Sequence, residues 1–460
     1  MKRKANSESR ELSVATSGSR TSVANPRNQA SILAAYPGNP RLEALMHIPS
    51  FEQMRAMLSF RAVSSDPELW LAPREVRLDA LKNFTQSYQP TIEAVHFAEV
   101  VCGGVRNHLE LQEYEDPDFR EWFYLVRDFL SGYEPELPRT RATGGPSCMA
   151  ITGASQTGKT AFLQRIRLVI GKPIALEGGE TSPSLRLVPV LSVFYPECNT
   201  VEGLLRNIRH ALLTEVGGPK ADQKHFPEFK GSKGADIAIS LCVLLNVCLI
   251  TVDGASARHA TGRSMEVVKF LLRLQSYAGM QVVVSGTPVF MDFIGRDGSL
   301  SANFFSGRQF SLDPIRSPEV NSDGSVSTNG MWFQRNLWYW ELGLFGRKDI
   351  PMPEMLPIWT YEYAHGREGW LAQGYAALHT ALLNKPRLLE PGQLKQQEVA
   401  KAFQLQLRNQ GSAIAVVHAT EAETPLIDDT DFYDYLDHFP SKFIGSSDTK
   451  YRLHGLRSRK

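Results

Sequence analysis

Short apolar runs alternate with helix-like patterns through the middle of the chain. The runs have the length of strands, and between them apolar residues recur every three or four positions, as at Phe162, Ile166 and Ile170. The predicted strands are 148–152, 187–195, 249–253, 281–285 and 309–312. Strands that alternate with helices predict an α/β fold with a five-stranded parallel sheet covered on both faces. A ligand site is then expected at the carboxyl ends of the strands.

The pattern on both sides of this core is helical, and the two ends of the chain are polar. The predicted segments are a disordered tail (1–35), an N-terminal helical region (36–145), the α/β core (146–316), a helical lid (317–415) and a tail that is acidic and aromatic, then basic (416–460). The N-terminal helical region has no chemical motif, which favours an adaptor surface for another protein. The last segment is typical either of a disordered segment that docks on a partner or of a solvated tail.

Composition narrows the class of protein. A hydrophobic content of 42% and a charged content of 22% are ordinary for a soluble protein. No apolar run reaches the ~18 residues of a membrane-spanning helix, so we expect a cytoplasmic protein with no membrane partner. The 5 cysteines form no C-x-x-C pair, which predicts reduced core residues. Because the formal net charge is +1, nucleic-acid binding would require a local patch or the assembly of many subunits.

Residues 153–160 match the phosphate-binding pattern G-x-x-x-x-G-K-[ST] at every fixed position. A predicted strand precedes the motif and a predicted helix follows it, which is the context that the motif requires. The glycines allow backbone N–H groups to surround phosphate oxygens, Lys159 reaches the terminal phosphates, and the Thr160 hydroxyl holds Mg²⁺. The residues expected to bind ATP here are Gly153, Ala154, Ser155, Gln156, Thr157, Gly158, Lys159 and Thr160.

Two further strand ends carry candidate chemistry. Asp253 follows the apolar run 249–252, as in a Walker B strand, and its carboxylate would hold Mg²⁺. The next residue is Gly254, where many ATPases of this class have a Glu that polarises water, so the sequence leaves hydrolysis open. Either Ser285 or Thr287, at the end of the following strand, senses the γ-phosphate or merely completes a turn.

Several phrases, in this order, resemble the TnsC and TniB family of AAA+ regulators of bacterial transposition. After the phosphate loop come VFYP at 193–196, NTVEGLL at 199–205, VSGTP at 284–288 and RQF at 308–310. The resemblance covers residues 90 to 410, and Tyr88 to Thr91 together with the long flanks resemble the larger TnsC type. The implied fold is an AAA+ core with a C-terminal helical lid and an N-terminal helical extension.

The resemblance implies a bacterial, DNA-associated protein that uses ATP to assemble as a ring or filament on duplex DNA. It would link a target-selection protein of the TniQ or TnsD type to transposase subunits. Arg308 would be an arginine finger for a neighbouring subunit, and Arg367 a second nucleotide sensor in the lid. The residues implied to lie nearest the DNA are Thr200, Arg206, Lys220 and Lys224.

A second interpretation, from another class, stays open. The same core could be an ATPase switch for protein partners, in signalling or defence, that does not bind DNA. Gly254 favours such a switch slightly, because a switch functions with slow or absent hydrolysis. A third interpretation is a scaffold in which ATP has only a structural role.

Overall fold

A computed structural model describes residues 31–112, 116–138, 148–178, 184–216, 226–231, 233–422 and 433–444. The helices are α1 (Ser31–Ala35), α2 (Pro40–Met46), α3 (Phe51–Leu58), α4 (Arg74–Ala80), α5 (Ile92–Glu110), α6 (Pro117–Ser131), α7 (Lys159–Ile170), α8 (Val201–Val216), α9 (Gly234–Leu244), α10 (Gly262–Ala278), α11 (Pro288–Gly295), α12 (Gly298–Phe304), α13 (Met331–Gly343), α14 (Leu356–Ala364), α15 (Glu368–Asn384), α16 (Gln396–Gln406), α17 (Gly411–Glu421) and α18 (Ser441–Ile444). The strands are β1 (Cys148–Thr152), β2 (Ile174–Leu176), β3 (Leu185–Leu187), β4 (Val190–Phe194), β5 (Leu249–Ala255), β6 (Gln281–Gly286) and β7 (Gln309–Ser311).

The predicted α/β core is confirmed: five strands form a parallel sheet in the order β4-β5-β6-β1-β7. The central strands are buried on both faces, because helices cover each side and the strand sequences are almost continuously apolar. In this order β1, which precedes the phosphate loop, pairs with β6, and β6 pairs with β5. The carboxyl ends of the three strands therefore lie side by side.

One predicted strand is wrong in its extent. The run 187–195 includes the last residue of β3 and all of β4, because Pro189 separates the two strands and has no N–H group for a sheet hydrogen bond. Val188 N instead donates to Leu245 O at 2.9 Å. β3 forms an antiparallel hairpin with β2 outside the main sheet, and only β4 belongs to that sheet.

The helices that precede the phosphate loop pack into two different cores. Helices α1, α2, α3, α5 and α6 contribute to the cluster that contains the sheet, where Phe97 of α5 stacks on Phe310 of β7 at 5.1 Å. Residues 63–84 instead pack with the helices of the predicted lid, where Phe84 is fully buried. The predicted boundary near residue 145 thus marks a change in sequence pattern, while the packing continues across it. The five-segment division itself stays a prediction.

The C-terminal part of the chain that the structure describes is packed on the core. Residues 416–421, predicted as the start of a tail, belong to α17. Residues 433–444, which we call the docked segment, contribute Leu436, Phe439 and Ile444 to an apolar cluster with Val289 of α11. These side chains are 7% exposed or less. The interleaved aromatic and aliphatic residues of the docked segment therefore bind the chain's own core.

Among the helices that the structure describes, none combines the length and apolarity needed to cross a lipid bilayer.

Candidate functional site

The predicted phosphate loop forms a tight turn between β1 and α7. Gly153 lies against Leu312, whose carbonyl oxygen a Cβ at position 153 would overlap. Gly158 has φ +97°, which favours glycine, and it caps the amino end of α7. The Thr157 hydroxyl donates to Ala154 O at 2.8 Å and closes the loop on itself. The loop therefore leads directly into the amino end of α7, which is where the motif predicts an anion site.

Lys159, the first residue of α7, folds back over the loop. Its Nζ donates to Gly153 O at 2.7 Å and to Ala154 O at 2.8 Å. Burial lowers the pKa of Lys159 to about 8, and the carboxylates of Asp253 and Asp437 oppose that shift. The ammonium group is therefore buried and held by carbonyl oxygens. Contact with an anion such as a phosphate group would stabilise its charge further.

Thr160 and Asp253 meet at the carboxyl edge of the sheet. Thr160 Oγ1 donates to Asp253 Oδ2 at 2.6 Å, which places the two predicted Mg²⁺ ligands in direct contact. Oxygen ligands of this kind suit Mg²⁺, which is bound in nucleotide sites by one or two protein groups and the phosphates. No cluster of three or more His, Cys, Asp or Glu exists among the described residues, so a purely protein-made metal cage is absent from that part of the chain.

The strand end next to Asp253 presents two hydroxyl groups without partners. Ser285 Oγ and Thr287 Oγ1 are buried and form no hydrogen bond to the described residues. Thr287 N donates to Ala255 O at 2.9 Å, which ties the end of β6 to β5. Buried hydroxyls normally find a partner, so the two groups fit a bound polar ligand or water here.

Gly254 has φ +90° at a register shift between β5 and β6. A side chain at this position would meet no atom within 4 Å, yet the backbone conformation disfavours any residue other than glycine. A Glu directly after Asp253 would therefore require a different backbone.

The lid contacts the phosphate loop through the first turn of α15. Gly369 N donates to Gln156 O at 2.8 Å. Arg335 of α13 forms an ion pair with Glu368, Nε to Oε1 at 2.5 Å, and donates to Gln89 Oε1 at 2.9 Å. Burial raises the pKa of Glu368, and Arg335 opposes the shift. This buried network joins the lid to the residues before α5.

A cavity of about 390 Å³ lies between the phosphate loop, the lid and the segment before α5. Its lining includes Tyr88, Gln89, Thr157, Pro314, Ile315, Trp332, Arg335 and Glu368. The cavity is mostly apolar with a few convergent polar groups, which is the usual character of a small-molecule site. Thr157 belongs to both the phosphate loop and the cavity lining, so the cavity lies directly beside the loop.

Arg367, the predicted second sensor, is 1% exposed and caps α15. Its Nη1 donates to His365 O at 2.9 Å and its Nη2 to His438 O at 2.6 Å. Burial lowers the pKa of Arg367 to about 10, while Glu421 opposes this. In this conformation the guanidinium holds the docked segment rather than standing free.

The predicted arginine finger lies at the amino end of β7, at the opposite end of the sheet from the phosphate loop. Arg308 directly precedes β7 and is exposed, and none of the residues that the structure describes pairs with its guanidinium. Thr200 caps α8 by accepting from Gly203 N at 3.2 Å, and Arg206 is exposed on the same helix. Lys220 and Lys224 lie outside the described residues.

Sequence reasoning missed two parts of this site. The Arg335–Glu368 pair joins two lid helices whose apolar faces dominated the sequence pattern, and no motif marks either residue. Asp437 lies in a segment with the composition of a free tail, but its carbonyl accepts from Ser155 N at 2.7 Å. The only sequence signal for it was the mixture of acidic and aromatic residues.

Neither a protein-family model nor a curated protein matches the chain. Solved structures similar to it include the Walker-type ATPase paby2304 of Pyrococcus abyssi, 13% identical, covering 69% of this chain and 87% of that one, with a TM-score of 0.34. The Aeropyrum pernix ORC2 protein, in ADPNP–ADP complexes, is 13% identical, with coverage of 74% and 86% and a TM-score of 0.38. Cdc6p from Pyrobaculum aerophilum is 11% identical, with coverage of 75% and 86% and a TM-score of 0.34.

Proposed function

We propose that this chain is an AAA+ ATPase of the TnsC type, which binds ATP and Mg²⁺, assembles on duplex DNA and links a target-selection protein to a transposase. The observation that carries the proposal is the meeting of Lys159, Thr160 and Asp253 at the carboxyl edge of the parallel sheet. The proposed role in transposition rests on the sequence phrases that resemble the TnsC and TniB family.

In this proposal, different residues of the site bind the phosphates, the metal ion and the base of the nucleotide. The N–H groups of the phosphate loop and Lys159 bind phosphate oxygens, while Thr160 and Asp253 hold the metal ion. Bound Mg²⁺ neutralises phosphate charge. The cavity of about 390 Å³ takes the base and ribose, because it is apolar and lies directly beside the loop at Thr157. Ser285 and Thr287 supply hydroxyl groups beside the terminal phosphate.

In this proposal, Arg308 of one subunit contacts the nucleotide of its neighbour and so promotes assembly. The exposed guanidinium of Arg308, which pairs with none of the described residues, is available to a neighbouring molecule, and an arginine supplied in trans makes assembly depend on the nucleotide. A chain with a net charge of +1 binds DNA weakly alone. A filament repeats each phosphate contact, at Thr200 and Arg206 among others, so many weak contacts add up to strong binding.

The experiment is a gel shift of duplex DNA with ATP and Mg²⁺. Lys159→Ala removes the phosphate-binding charge and should abolish the shift. Lys172→Ala is the matched control, because it removes the same charge beyond the other end of α7, a helix about 18 Å long. DNA binding that is indifferent to both nucleotide and Lys159→Ala would refute the mechanism.

The DNA contact itself is tested by the salt dependence of binding. Arg206→Ala should weaken binding to all sequences and reduce the slope of log affinity against log salt by about 1 per subunit contact. Nucleotide binding by this variant should be unchanged, since Arg206 lies on α8, away from the phosphate loop.

Gly254 supports a second candidate, a slow ATPase switch for protein partners that does not bind DNA. Its φ of +90° is hard to reconcile with a catalytic Glu at that position. Phosphate release measured with and without duplex DNA separates the two functions. Nucleotide-dependent assembly with no response to DNA would favour the switch.

A further inference from the structure

The docked segment accepts hydrogen bonds from three elements that surround the proposed phosphate site. Ser155 N of the phosphate loop donates to Asp437 O at 2.7 Å. Ala257 N, in the turn after β5, donates to Asp437 Oδ1 at 2.7 Å. Arg367 at the start of α15 donates to His438 O at 2.6 Å. The adjacent residues Asp437 and His438 thus accept hydrogen bonds from the phosphate loop, from the turn after β5 and from the lid.

Asp437 supplies what a bound phosphate would supply at this place, namely oxygen atoms that accept hydrogen bonds and a negative charge. A loop N–H group that the motif offers to phosphate oxygens is taken by a carbonyl oxygen of Asp437. The carboxylate of the same residue is close enough to Lys159 to oppose the lowering of its pKa. An oxygen acceptor and a negative charge are therefore already present beside the loop, on the side toward Asp253 and the lid.

Apolar packing holds the docked segment in place. Phe439 is fully buried, and Leu436 and Ile444 pack in the same cluster with Val289 and Val416. The His438 ring stacks on Trp370 at 5.7 Å, and Ser441 Oγ donates to Asp313 Oδ1 at 3.0 Å. The docked segment belongs to the same chain as α17, so its docking is intramolecular and does not depend on protein concentration.

We propose that the docked segment is a competitor of the terminal phosphates of ATP, built into the chain. Docking occupies Ser155 N and Arg367, and ATP must displace Asp437 and His438 to use those groups. Removal of the docked segment from the core frees these groups of the loop and the lid. The inference rests on the proposed function, because it requires that the loop binds nucleotide.

The main test compares nucleotide affinities of full-length variants. Phe439→Asp places a charge in the apolar cluster and should undock the segment. We expect it to bind ATP about tenfold more tightly than the unmodified protein, with a smaller gain for ADP. Lys442→Asp is the matched control, because it puts the same carboxylate on an exposed position of the docked segment, and its affinity should be unchanged. Equal ATP affinity of Phe439→Asp and the unmodified protein overturns the inference.

A second variant addresses Asp437 directly. Asp437→Ala removes the carboxylate and should raise ATP affinity three- to tenfold. A loss of affinity would show instead that the carboxylate assists the bound nucleotide, and would overturn the competition. If neither the unmodified protein nor any variant binds nucleotide, and Lys159→Ala changes nothing, the proposed function fails and the inference fails with it.

Hydrogen exchange on the unmodified protein makes the test independent of how the variants fold. With a slowly hydrolysed ATP analogue and Mg²⁺, amides of residues 436–444 should exchange at least tenfold faster than without nucleotide. Unchanged or slower exchange, together with bound nucleotide, overturns the inference. A peptide of residues 433–444 should also compete with ATP for the Phe439→Asp variant, and the same peptide with Asp at position 439 should not.

Discussion

Thr160 Oγ1 donates a hydrogen bond of 2.6 Å to Asp253 Oδ2, across a sequence separation of 93 residues. One residue lies in the first turn of α7 and the other near the carboxyl end of β5. Their contact brings together the two oxygen atoms that, in the proposed function, hold Mg²⁺ together with the phosphates.

Asp253→Asn should weaken binding of Mg·ATP at least tenfold, and leave binding without Mg²⁺ nearly unchanged. The amide oxygen can still accept from Thr160, so the local structure is kept, but the negative charge that neutralises the cation is lost. Titration with a fluorescent ATP analogue, with Mg²⁺ and then with a chelator, measures both states. Asp292→Asn, on α11 and ion-paired with Arg296, is the control that should behave like the unmodified protein. An identical Mg²⁺ dependence in Asp253→Asn would contradict the assignment.

ATP affinity should fall about tenfold between pH 7 and pH 9. The pKa of Lys159 is lowered by burial to about 8 in the free protein, so the side chain is neutral above that pH. Phosphate binding favours the ammonium form, so binding takes up a proton above pH 8 and weakens as the pH rises. Isothermal titration in buffers of different ionisation enthalpy detects this proton uptake directly.

Lys159→Arg is the control for that pH dependence. It binds ATP less well because of its different shape, but its charge does not titrate in this range, so its affinity should be flat from pH 7 to pH 9. A flat profile for the unmodified protein would show that Lys159 is not the titrating group.

Arg308→Ala should leave nucleotide binding by single subunits intact and remove nucleotide-dependent assembly. Arginine fingers contribute about 10³-fold or more to phosphoryl transfer, so any turnover that depends on assembly should fall by a similar factor. Sedimentation with and without ATP measures assembly. Arg387→Ala removes an equally exposed arginine from the lid and should assemble normally. Normal assembly of Arg308→Ala would require another residue in this role.

Gly343→Ala should lower the free energy of unfolding by about 2–3 kcal/mol, because a methyl group at position 343 overlaps the buried His379 ring. The ring cannot move away easily, since it packs against Phe84, Trp340 and Tyr375. Urea unfolding monitored by tryptophan fluorescence is the measurement. Gly411→Ala, at the open first turn of α17, should be neutral or stabilising by less than about 1 kcal/mol. Equal stability of the two variants would mean that the lid packs differently around His379.

The phosphate loop and the sheet could be predicted because both are encoded by neighbouring residues. Gly153 to Thr160 occupy consecutive positions, so their spacing alone specifies the turn and the start of α7. The apolar runs predicted all five strands of the sheet, and the error at 187–195 arose where Pro189 breaks a run of uniform hydrophobicity. Pro189 is itself a local signal of the interruption, but hydrophobicity alone does not register it when the residues on both sides are apolar.

The docked segment could not be predicted in the same way. Ala257 and Asp437, which form one of its hydrogen bonds, are 180 residues apart. Acidic and aromatic residues at 433–444 suit a partner surface or the chain's own core equally well by composition. Burial of Phe439 against Val289 and Val416 distinguishes these cases, and that contact exists only after α11 and α17 have packed.

The sequence alone determined that this protein has a phosphate loop on an α/β sheet, with Asp253 following a buried strand, because backbone conformation and hydrophobic period are local properties. The tertiary structure alone decided that Thr160 meets Asp253, that Arg335 pairs with Glu368 beside a cavity, and that Asp437 lies at the loop. Each of these depends on bringing distant residues together, and the free energy for that comes from the burial of apolar surface summed over the whole chain, which no local pattern contains.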